Sequence, residues 1–352
     1  MNKIKLVLLA VLVLSLSACF PSNTSENIEV LLQGRTMGTS YNIKIVATQE
    51  QILALNLQQK IDAALVQVNQ EMSTYISDSE LSQFNQSRTT EPVAISVGFA
   101  RVLKESLRLG QLSEGKLDVT VGPLVNLWGF GPDLRPETIP SDELLTLTKK
   151  RVGFENLVLT DNLLTKKIPD VYIDLSTIAK GYGVDVVADL IESNGFAHYL
   201  VEIGGEMRLK GFKHTGELWA IAIEKPIFDV SGEERAVHQV VIPKDNAVAT
   251  SGDYRNYFEA DGVRFSHIID PDTGKPIHHN LVSVTVIHPS SMTADGLSTT
   301  LMVMGMEKGM AFASENNLAA LFISKTENGF DERFTVKFKQ YLKEAAQVSY
   351  KQ

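Results

Sequence analysis

The chain has 352 residues, of which 44% are hydrophobic and 21% are charged, and its formal net charge at pH 7 is −9. This composition is that of a globular protein, long enough for one large domain or two ordinary ones. Because the chain is acidic and has no basic run, nucleic acid is not expected as a partner, and neither is electrostatic docking to a membrane surface.

The first residues have the pattern of a secretory signal. Lys3 and Lys5 precede an apolar run over 6–16, which is too short to span a bilayer as a mature helix. Leu-Ser-Ala-Cys follows at 16–19 and resembles the bacterial lipobox, in which cleavage leaves the cysteine as a lipid-carrying N-terminus. An ordinary signal peptide with an incidental Cys19 is the alternative. The lipobox is favoured because Cys19 is the only cysteine in the chain.

The sequence therefore predicts a processed and anchored chain. Residues 1–18 are the signal peptide, and residues 19–28 comprise the lipidated cysteine and a flexible tether. Removing residues 1–18 takes away two lysines and no acidic residue, so the formal net charge moves from −9 to −11. Lipid is then the expected contact with the membrane.

Strand and helix patterns follow in chain order. Residues 28–47 contain two strand runs broken at a glycine-bounded turn, and residues 57–72 place apolar side chains on one helical stripe. Segment 96–115 predicts another helix. Segment 140–153 predicts a further helix, because Pro and Ser precede its apolar positions and Gly ends it.

The C-terminal half begins with a short predicted strand that ends at Asp174. Ser176 or Thr177 is expected to cap the next helix, which Gly195 ends. A later helix is predicted over 292–305. Strands are predicted over 198–211, 218–226, 246–252, 263–270, 281–289 and 318–324. Because strands and helices mix rather than alternate strictly, the order favours an α+β fold over a doubly wound sheet.

Residues 292–305 combine an apolar helical face with oxygen-bearing side chains in the first turns. Asp295 and Thr299 are four residues apart and therefore share one face of the helix. A carboxylate and a hydroxyl are hard oxygen ligands that suit Mg²⁺ or Ca²⁺. Helix capping by Thr293 and Asp295 is the alternative, and this segment alone leaves both open.

The absence of several well-known motifs limits the kinds of binding site and reaction that the sequence supports. No P-loop, dinucleotide fingerprint or His-Glu-x-x-His pattern occurs, so bound phosphates would be held by a metal ion or by isolated amides, and zinc is poorly supported. The nucleophile elbow of serine hydrolases is absent as well. His267 lies at a predicted strand end beside a tight turn, where a histidine can accept a proton near neutral pH.

Seven motifs, in order over about residues 30–340, resemble those of the ApbE family of flavin transferases. They are GRTMGTSY (34–41), MSTYISDSELSQFN (72–85), DLSTIAKGYGVD (174–185), VEIGGE (201–206), ATSGDY (249–254), HIIDPDTGKP (267–276) and TADGLSTTLMVMG (293–305). The resemblance implies mixed, largely antiparallel sheets with packed helices. It also implies an ApbE-like (T-fold-like) core over 29–345, with a smaller lobe at about 115–165.

The resemblance further implies a Mg²⁺-dependent reaction. FAD, the substrate, is cleaved at its pyrophosphate, FMN is transferred to a threonine hydroxyl of a target protein as a phosphoester, and AMP leaves. The residues implied to contact FAD are Met37, Tyr75, Leu117, Asp118, Val119, Asp174, Lys180 and Ile269. The implied metal ligands are the carbonyl of Thr177, the side chains of Asp295 and Thr299, and Ser298, a position where some family members carry aspartate. His267 matches the histidine linked to catalysis, either as the base that takes the threonine proton or as an FAD contact.

Two other functions stay open on the sequence. In an FAD pyrophosphatase, water would replace threonine and the products would be FMN and AMP; Tyr75, a large ring at the flavin-facing position, favours transfer instead. A non-catalytic flavin-binding lipoprotein would need no metal. The resemblance implies acceptors among membrane redox subunits of the sodium-translocating NADH:quinone reductase type, and therefore a periplasm-facing protein anchored by lipid to the bacterial inner membrane.

Replacing Cys19 with serine is expected to leave an unlipidated precursor, because a hydroxyl cannot replace the nucleophilic sulfur that takes the lipid. Mass spectrometry of the N-terminal peptide from the membrane fraction gives the readout. A C19S chain that still carries a diacylglycerol-modified mature N-terminus would show that the lipobox interpretation is wrong.

Overall fold

The computed structural model describes residues 26–132, 139–226, 237–253, 257–260 and 263–343. The predicted signal peptide, Cys19 and the first part of the predicted tether lie outside these ranges. Across the described part of the chain, no helix is both long enough and apolar enough to cross a membrane.

Helices and strands have the following bounds in the described residues. The helices are α1 (Gln49–Ala54), α2 (Leu57–Met72), α3 (Glu80–Gln86), α4 (Val97–Leu112), α5 (Gly122–Leu127), α6 (Asp142–Lys149), α7 (Ala179–Ser193) and α8 (Ser291–Glu315). The strands are β1 (Ile28–Thr36), β2 (Thr39–Ala47), β3 (Val93–Ala94), β4 (Leu157–Thr160), β5 (Leu163–Lys166), β6 (Tyr199–Ile203), β7 (Glu206–Lys210), β8 (Ile221–Glu224), β9 (Val237–Val241), β10 (Ala247–Gly252), β11 (Tyr257–Ala260), β12 (Val263–Ser266), β13 (Ile269–Asp270), β14 (Lys275–Pro276), β15 (Leu281–His288), β16 (Ala319–Thr326) and β17 (Gly329–Phe334).

An eight-stranded sheet forms the centre of the fold, in the order β1-β2-β6-β7-β10-β15-β16-β17. Its neighbouring strands are antiparallel throughout. The β1–β2 hairpin turns through Met37 and Gly38, whose φ angles of 49° and 72° are the left-handed values that a two-residue hairpin turn requires. Helices packed on largely antiparallel sheets confirm the predicted α+β class.

The two central strands of the sheet, β7 and β10, pair over only a short stretch. β7 and β10 pair only through Arg208 with Ala247 and Met207 with Val248. Beyond Val248 the two strands separate, although β10 stays paired with β15 as far as Gly252. This separation opens the sheet at the place where the predicted site residues converge.

Both faces of the sheet are covered. Buried side chains of α2, α4, α7 and α8 pack with sheet residues in two adjoining apolar clusters. On the opposite face, Ile221 and Ile223 from the β8–β9 ribbon pack against Val248 and Ile287. Apolar burial on both sides fixes the strands and therefore the walls of the opening.

A separate three-stranded sheet, β3-β5-β4, lies partly within the residues predicted to form a smaller lobe. Leu157 and Leu164 from this sheet belong to the same buried cluster as Leu297 of α8. β3 at 93–94 lies outside the predicted lobe of 115–165, so the small sheet draws on more of the chain than that prediction includes.

The prediction around Asp174 needs two corrections. Residues before Asp174 are not a strand, because the backbone there lacks a strand partner; the Asp174 amide donates instead to the carbonyl of Val119 at 2.7 Å. Neither Ser176 nor Thr177 caps α7, whose N-cap is Ile178 without a side-chain bond. The Ser176 hydroxyl donates to the Asp174 carboxylate at 2.6 Å.

α7 and α8 touch at Gly181. A Cβ atom at this position would lie 2.8 Å from the Cβ of Asp295 and closer still to the backbone carbonyl of Ser291. Two turns of neighbouring helices can approach this closely only where one side chain is missing. At Gly183, by contrast, the nearest atom to an added Cβ is the mobile methyl end of Met37, at 2.9 Å.

Gly181→Ala is therefore expected to destabilise the fold by about 1–3 kcal/mol, since backbone has to move to accept the methyl group. Gly183→Ala is the matched control on the same helix, because the Met37 side chain can rotate away and alanine favours the helix by about 0.5–1 kcal/mol. Urea denaturation of both variants gives the two free energies of unfolding. Equal effects at the two positions would contradict a rigid contact between α7 and α8.

Candidate functional site

A cleft of about 760 Å³ opens where β7 and β10 separate. The beginning of α7, the N-terminal part of α8, the β6–β7 turn, β8 and β10 contribute to its wall. The predicted site residues that line it are Tyr75, Asp174, Thr177, Lys180, His267, Ile269, Asp295 and Thr299. Residues far apart in the chain are thus brought to one cavity.

The other predicted site residues lie behind this wall. Leu117 and Val119 are buried in the core, and Met37 occupies the β1–β2 turn beside α7. The buried carboxylate of Asp118 accepts hydrogen bonds from the amides of Thr120 at 2.7 Å and Phe154 at 3.1 Å. These contacts shape the loops around the cleft, and the FAD contacts implied for these four residues stay predictions.

Ser298 also lies behind the cleft wall. It is fully buried, and its hydroxyl donates to the carbonyl of Asp295 at 2.8 Å. Its oxygen is 2.7 Å from the hydroxyl of Ser251, which in turn lies 3.0 Å from the hydroxyl of Thr299. The structure thus links Ser298 to two predicted metal ligands, and its own role as a ligand stays a prediction.

Asp295 is not a helix cap. α8 begins at Ser291, and its N-cap is Ser290, whose hydroxyl accepts from the amide of Thr293 at 3.3 Å. The capping alternative for Thr293 and Asp295 is therefore wrong. Asp295 is 3% exposed and accepts instead from the backbone amide of Gly181 at 2.9 Å. Burial of a carboxylate costs free energy, and helix capping does not offset that cost for Asp295, so its burial requires another explanation.

The start of α7 explains why the Gly181 amide is available to Asp295. The Tyr182 amide donates to the carbonyl of Ile178, the N-cap of α7. The Gly181 amide is therefore one of the helix-start donors that have no acceptor within their own helix, and Asp295 satisfies it. Thr177 lies before the helix and lines the cleft, and its hydroxyl is buried with no hydrogen-bond partner among the described residues.

These oxygens fit a hard divalent cation. The set combines the Asp295 carboxylate, the Thr299 hydroxyl and the Thr177 carbonyl, all lining the cleft. Such ligands suit Mg²⁺, which is commonly held by one or two carboxylates together with waters and substrate phosphates. Across the described residues, no cluster of three His, Cys, Asp or Glu side chains could hold a metal ion. A cation here would therefore rest on a single carboxylate and neutral oxygens.

Lys180 lies between two buried carboxylates. Its Nζ is 2.7 Å from Glu206 Oε1, and the other carboxylate oxygen of Glu206 is buried with no hydrogen-bond partner in the part of the chain that the structure describes. Burial lowers the pKa of Lys180, but the charges of Asp295 and Glu206 outweigh that effect and hold its pKa above the usual value. Burial raises the pKa of Asp295 and of Glu206 against the opposing charge of Lys180. With all three groups ionised, one negative charge is left over, which favours a bound cation.

An aromatic wall borders the polar part of the cleft. The Tyr75 ring is 67% exposed, and burial together with the charge of Asp174 raises the pKa of its phenol. The Phe130 ring also lines the cleft, and its centroid lies 6.3 Å from that of His267. Large planar groups beside a polar pocket suit a flat aromatic ligand.

The sequence does not predict two features of this site. Glu206 has no signal in the sequence beyond its place in the motif VEIGGE. Phe130 belongs to a stack with Phe258, Phe265 and Trp128, whose neighbouring ring centroids are 5.1–5.5 Å apart. The stack joins two segments that are distant in the chain, so no local pattern could reveal it.

The fold and the cleft define an α+β protein in which oxygen atoms, a partly buried lysine and aromatic rings line one cavity. The model of the ApbE family matches residues 37–322. An FAD:protein FMN transferase of Vibrio cholerae is 55% identical over 89% of this chain and 93% of the relative. The chain belongs to the ApbE family.

Solved structures agree with this assignment. The flavin transferase ApbE from Vibrio cholerae superimposes with a TM-score of 0.83 at 53% identity, covering 90% of this chain and all of that chain. The flavinyl transferase ApbE of Pseudomonas stutzeri, in its apo form, gives a TM-score of 0.82 at 38% identity, covering 91% of this chain and 98% of that chain. The family resemblance and the fold class predicted from the sequence are confirmed.

Lys180→Met is expected to destabilise the metal-free protein by about 3–5 kcal/mol, because two buried carboxylates lose their cation. Without Lys180 the pKa values of both carboxyls rise further, so the folded state binds protons more tightly than the unfolded chain. The loss should therefore shrink as the pH falls from about 8 to about 5.

The double variant Lys180→Met with Glu206→Gln provides the control, since it removes one of the uncompensated charges. It is expected to recover a large part of the lost free energy of unfolding at pH 8. Urea titrations at both pH values measure these differences. A loss that is the same at both pH values, and that E206Q does not relieve, would contradict the charge balance described for the site.

Proposed function

We propose that this chain transfers FMN from FAD to a threonine hydroxyl of an acceptor protein, with Mg²⁺ bound in the cleft and AMP released. The observation that carries this proposal is the oxygen set in the cleft, where Asp295, held by the Gly181 amide, lines the same cavity as Thr177 and Thr299. Family membership and the activity for which the relatives are named support the flavin chemistry.

The reaction exchanges the phosphoanhydride bond of the FAD pyrophosphate for a phosphoester bond to threonine. The threonine oxygen forms a bond to the phosphorus of the FMN half, the bond to the bridging pyrophosphate oxygen breaks, and AMP leaves with that electron pair. Asp295, Thr299 and the Thr177 carbonyl would hold Mg²⁺, which would supply charge neutralisation at the phosphate oxygens. Phosphoryl transfer depends chiefly on such positioning and charge stabilisation.

The remaining residues have separate tasks. Lys180, kept charged by its two carboxylate neighbours, stabilises negative charge on the phosphates. His267, at the cleft wall, takes the proton that the threonine hydroxyl loses. Tyr75 and Phe130 bind the flat part of FAD, which leaves the phosphates directed towards the polar side of the cleft.

Hydrolysis of FAD by water is the competing reaction of the same site. Transfer is favoured because the relatives in both comparisons bear the transferase name. Incubation of the full-length chain with FAD, Mg²⁺ and an acceptor subunit, followed by intact mass measurement, separates the two reactions. Transfer adds the mass of FMN less water to the acceptor, whereas hydrolysis releases FMN and AMP without labelling it. A protein that only stores FAD would release no AMP.

The proposal also includes a location in the cell. Cleavage before Cys19 and lipidation of that residue anchor the domain, over 29–345, on the periplasmic side of the inner membrane. Acceptors there are membrane redox subunits of the sodium-translocating NADH:quinone reductase type, which a tethered enzyme can reach by diffusion in the plane of the membrane.

Asp295→Asn is expected to lower transfer by about 100-fold or more, since the amide removes the full negative charge from the metal ligand set. The melting temperature without Mg²⁺ should change little, whereas the stabilisation that added Mg²⁺ gives to the wild type should disappear. Thr299→Val should show the same pattern more weakly. Steady-state AMP release across a Mg²⁺ titration, together with thermal melts, measures both effects.

Thr300→Val is the matched control on α8. The Thr300 hydroxyl donates to the carbonyl of Gly296 at 2.8 Å and its side chain is buried, with no part in the cleft wall. This variant should keep the wild-type Mg²⁺ dependence. An Asp295→Asn chain with near-normal AMP release at limiting Mg²⁺ would overturn the metal assignment.

A further inference from the structure

β8 is the outer strand of a ribbon that borders the cleft. It pairs with β9 on one side. The far side of β9 is occupied by the end of the described chain, where the amide of Ile242 donates to the carbonyl of Tyr341 at 2.7 Å and the amide of Lys343 donates to the carbonyl of Val240 at 3.0 Å. Within the described residues, no strand pairs with the other edge of β8.

The register shows which main-chain groups this edge presents. In an antiparallel strand the N–H and C=O of one residue point to the same side, and the side alternates along the chain. Because Val240 and Ile242 bond outwards to 341–343, Val241 bonds inwards to its partner Ile221. Ala222, one residue further on, is the partner of Val240, so its N–H and C=O point away from β9.

The free edge faces the cleft. All four residues of β8, from Ile221 to Glu224, line the cavity that contains His267 and Asp295. Side chains alternate between the two faces of a strand, so an unbroken run of lining residues means that the strand edge itself borders the cavity. The Ile221 and Ile223 side chains are buried beneath the ribbon, and Ala222 is exposed.

Among the described residues, no element covers this edge. Exposed strand edges are normally blocked by lysine, proline or a covering element, because unpaired main-chain groups attract other strands. The sequence of β8 is Ile-Ala-Ile-Glu, with neither lysine nor proline, and the residue whose main-chain groups point outwards is alanine. A strand edge that the described residues leave open in the wall of the cleft is suited to receive an extended peptide.

We propose that the acceptor protein docks by adding the extended segment that carries its threonine to β8 as an extra strand. This inference rests on the proposed function, which requires a threonine to enter the same cleft as the metal and His267. Main-chain hydrogen bonds to Ala222 supply affinity and register, which is the general advantage of strand addition. The strand direction then sets how far the hydroxyl reaches towards the phosphates.

Ala222→Pro tests the enzyme side, because proline removes the N–H that the acceptor would use, and proline is tolerated where that group faces away from the sheet. With a folded acceptor subunit that the wild type labels, the variant should raise the acceptor KM about tenfold, the equivalent of one good hydrogen bond, with the FAD dissociation constant and melting temperature near wild type. Ala222→Val keeps the N–H and serves as the matched control for side-chain size.

Backbone N-methylation tests the acceptor side. A synthetic peptide spanning the labelled threonine is methylated at one amide at a time, and FMN transfer is followed by mass spectrometry. Strand addition predicts that alternate amides are sensitive, since only every second residue points to the partner strand.

The outcomes separate this inference from the proposed function. A wild-type chain that labels no acceptor overturns the proposed function. Labelling by the wild type with an unchanged acceptor KM in Ala222→Pro, an equal loss in Ala222→Val, or sensitivity to methylation without a period of two overturns strand addition alone. A peptide that is never labelled while the folded subunit is labelled also counts against an extended docked segment.

Discussion

The hydrogen bond from the Gly181 amide to the Asp295 carboxylate is the contact on which the candidate site depends. It joins α7 to α8 at 2.9 Å, at a place where the absence of a side chain lets the two helices meet. It orients a carboxylate that is only 3% exposed at the wall of the cleft. It also satisfies one of the amides at the start of α7 that has no acceptor within its own helix, so a single bond serves both helices.

The charges around this bond explain why the site is stable without being neutral. Lys180 bonds to Glu206 and remains within the electrostatic influence of Asp295, so neither carboxylate is left without a counter-charge. An excess of one negative charge would be costly in a sealed core. Here the carboxylates lie at the wall of an open cleft, where a cation bound at the proposed metal site would offset the excess charge.

Much of the fold could be predicted because local patterns determine it. The alternation in β1 and β2, the apolar stripe of α2 and the strand–helix–strand order around α8 depend on neighbouring residues, and the structure contains them. The strand predicted before Asp174 failed because extended backbone becomes a strand only when a partner lies beside it. The predicted capping of α8 by Thr293 and Asp295 is wrong because the helix begins before the oxygen-rich turn. Its N-cap is Ser290, which lies earlier in the chain.

The candidate site was predictable only in part. Motif similarity alone predicts that Asp174, Lys180, His267 and Asp295 share one site, and all four line one cleft. Glu206 and the Phe130 stack are defined by contacts between distant segments, which motif spacing does not reveal. The edge of β8 that no described strand pairs with is a property of the three-dimensional arrangement, so the sequence does not predict it.

The short pairing between β7 and β10 divides the sheet into two groups of four strands. In each group a helix lies in the chain directly before the third strand, α7 before β6 and α8 before β16. The first group also has α2 and α4 before α7, and the second has the β11–β14 segment between its first two strands, so the two groups share their strand order but not every element. Thr177 and Lys180 lie at the start of α7 and Asp295 and Thr299 lie in α8, so the predicted contacts to metal and phosphate draw on both groups.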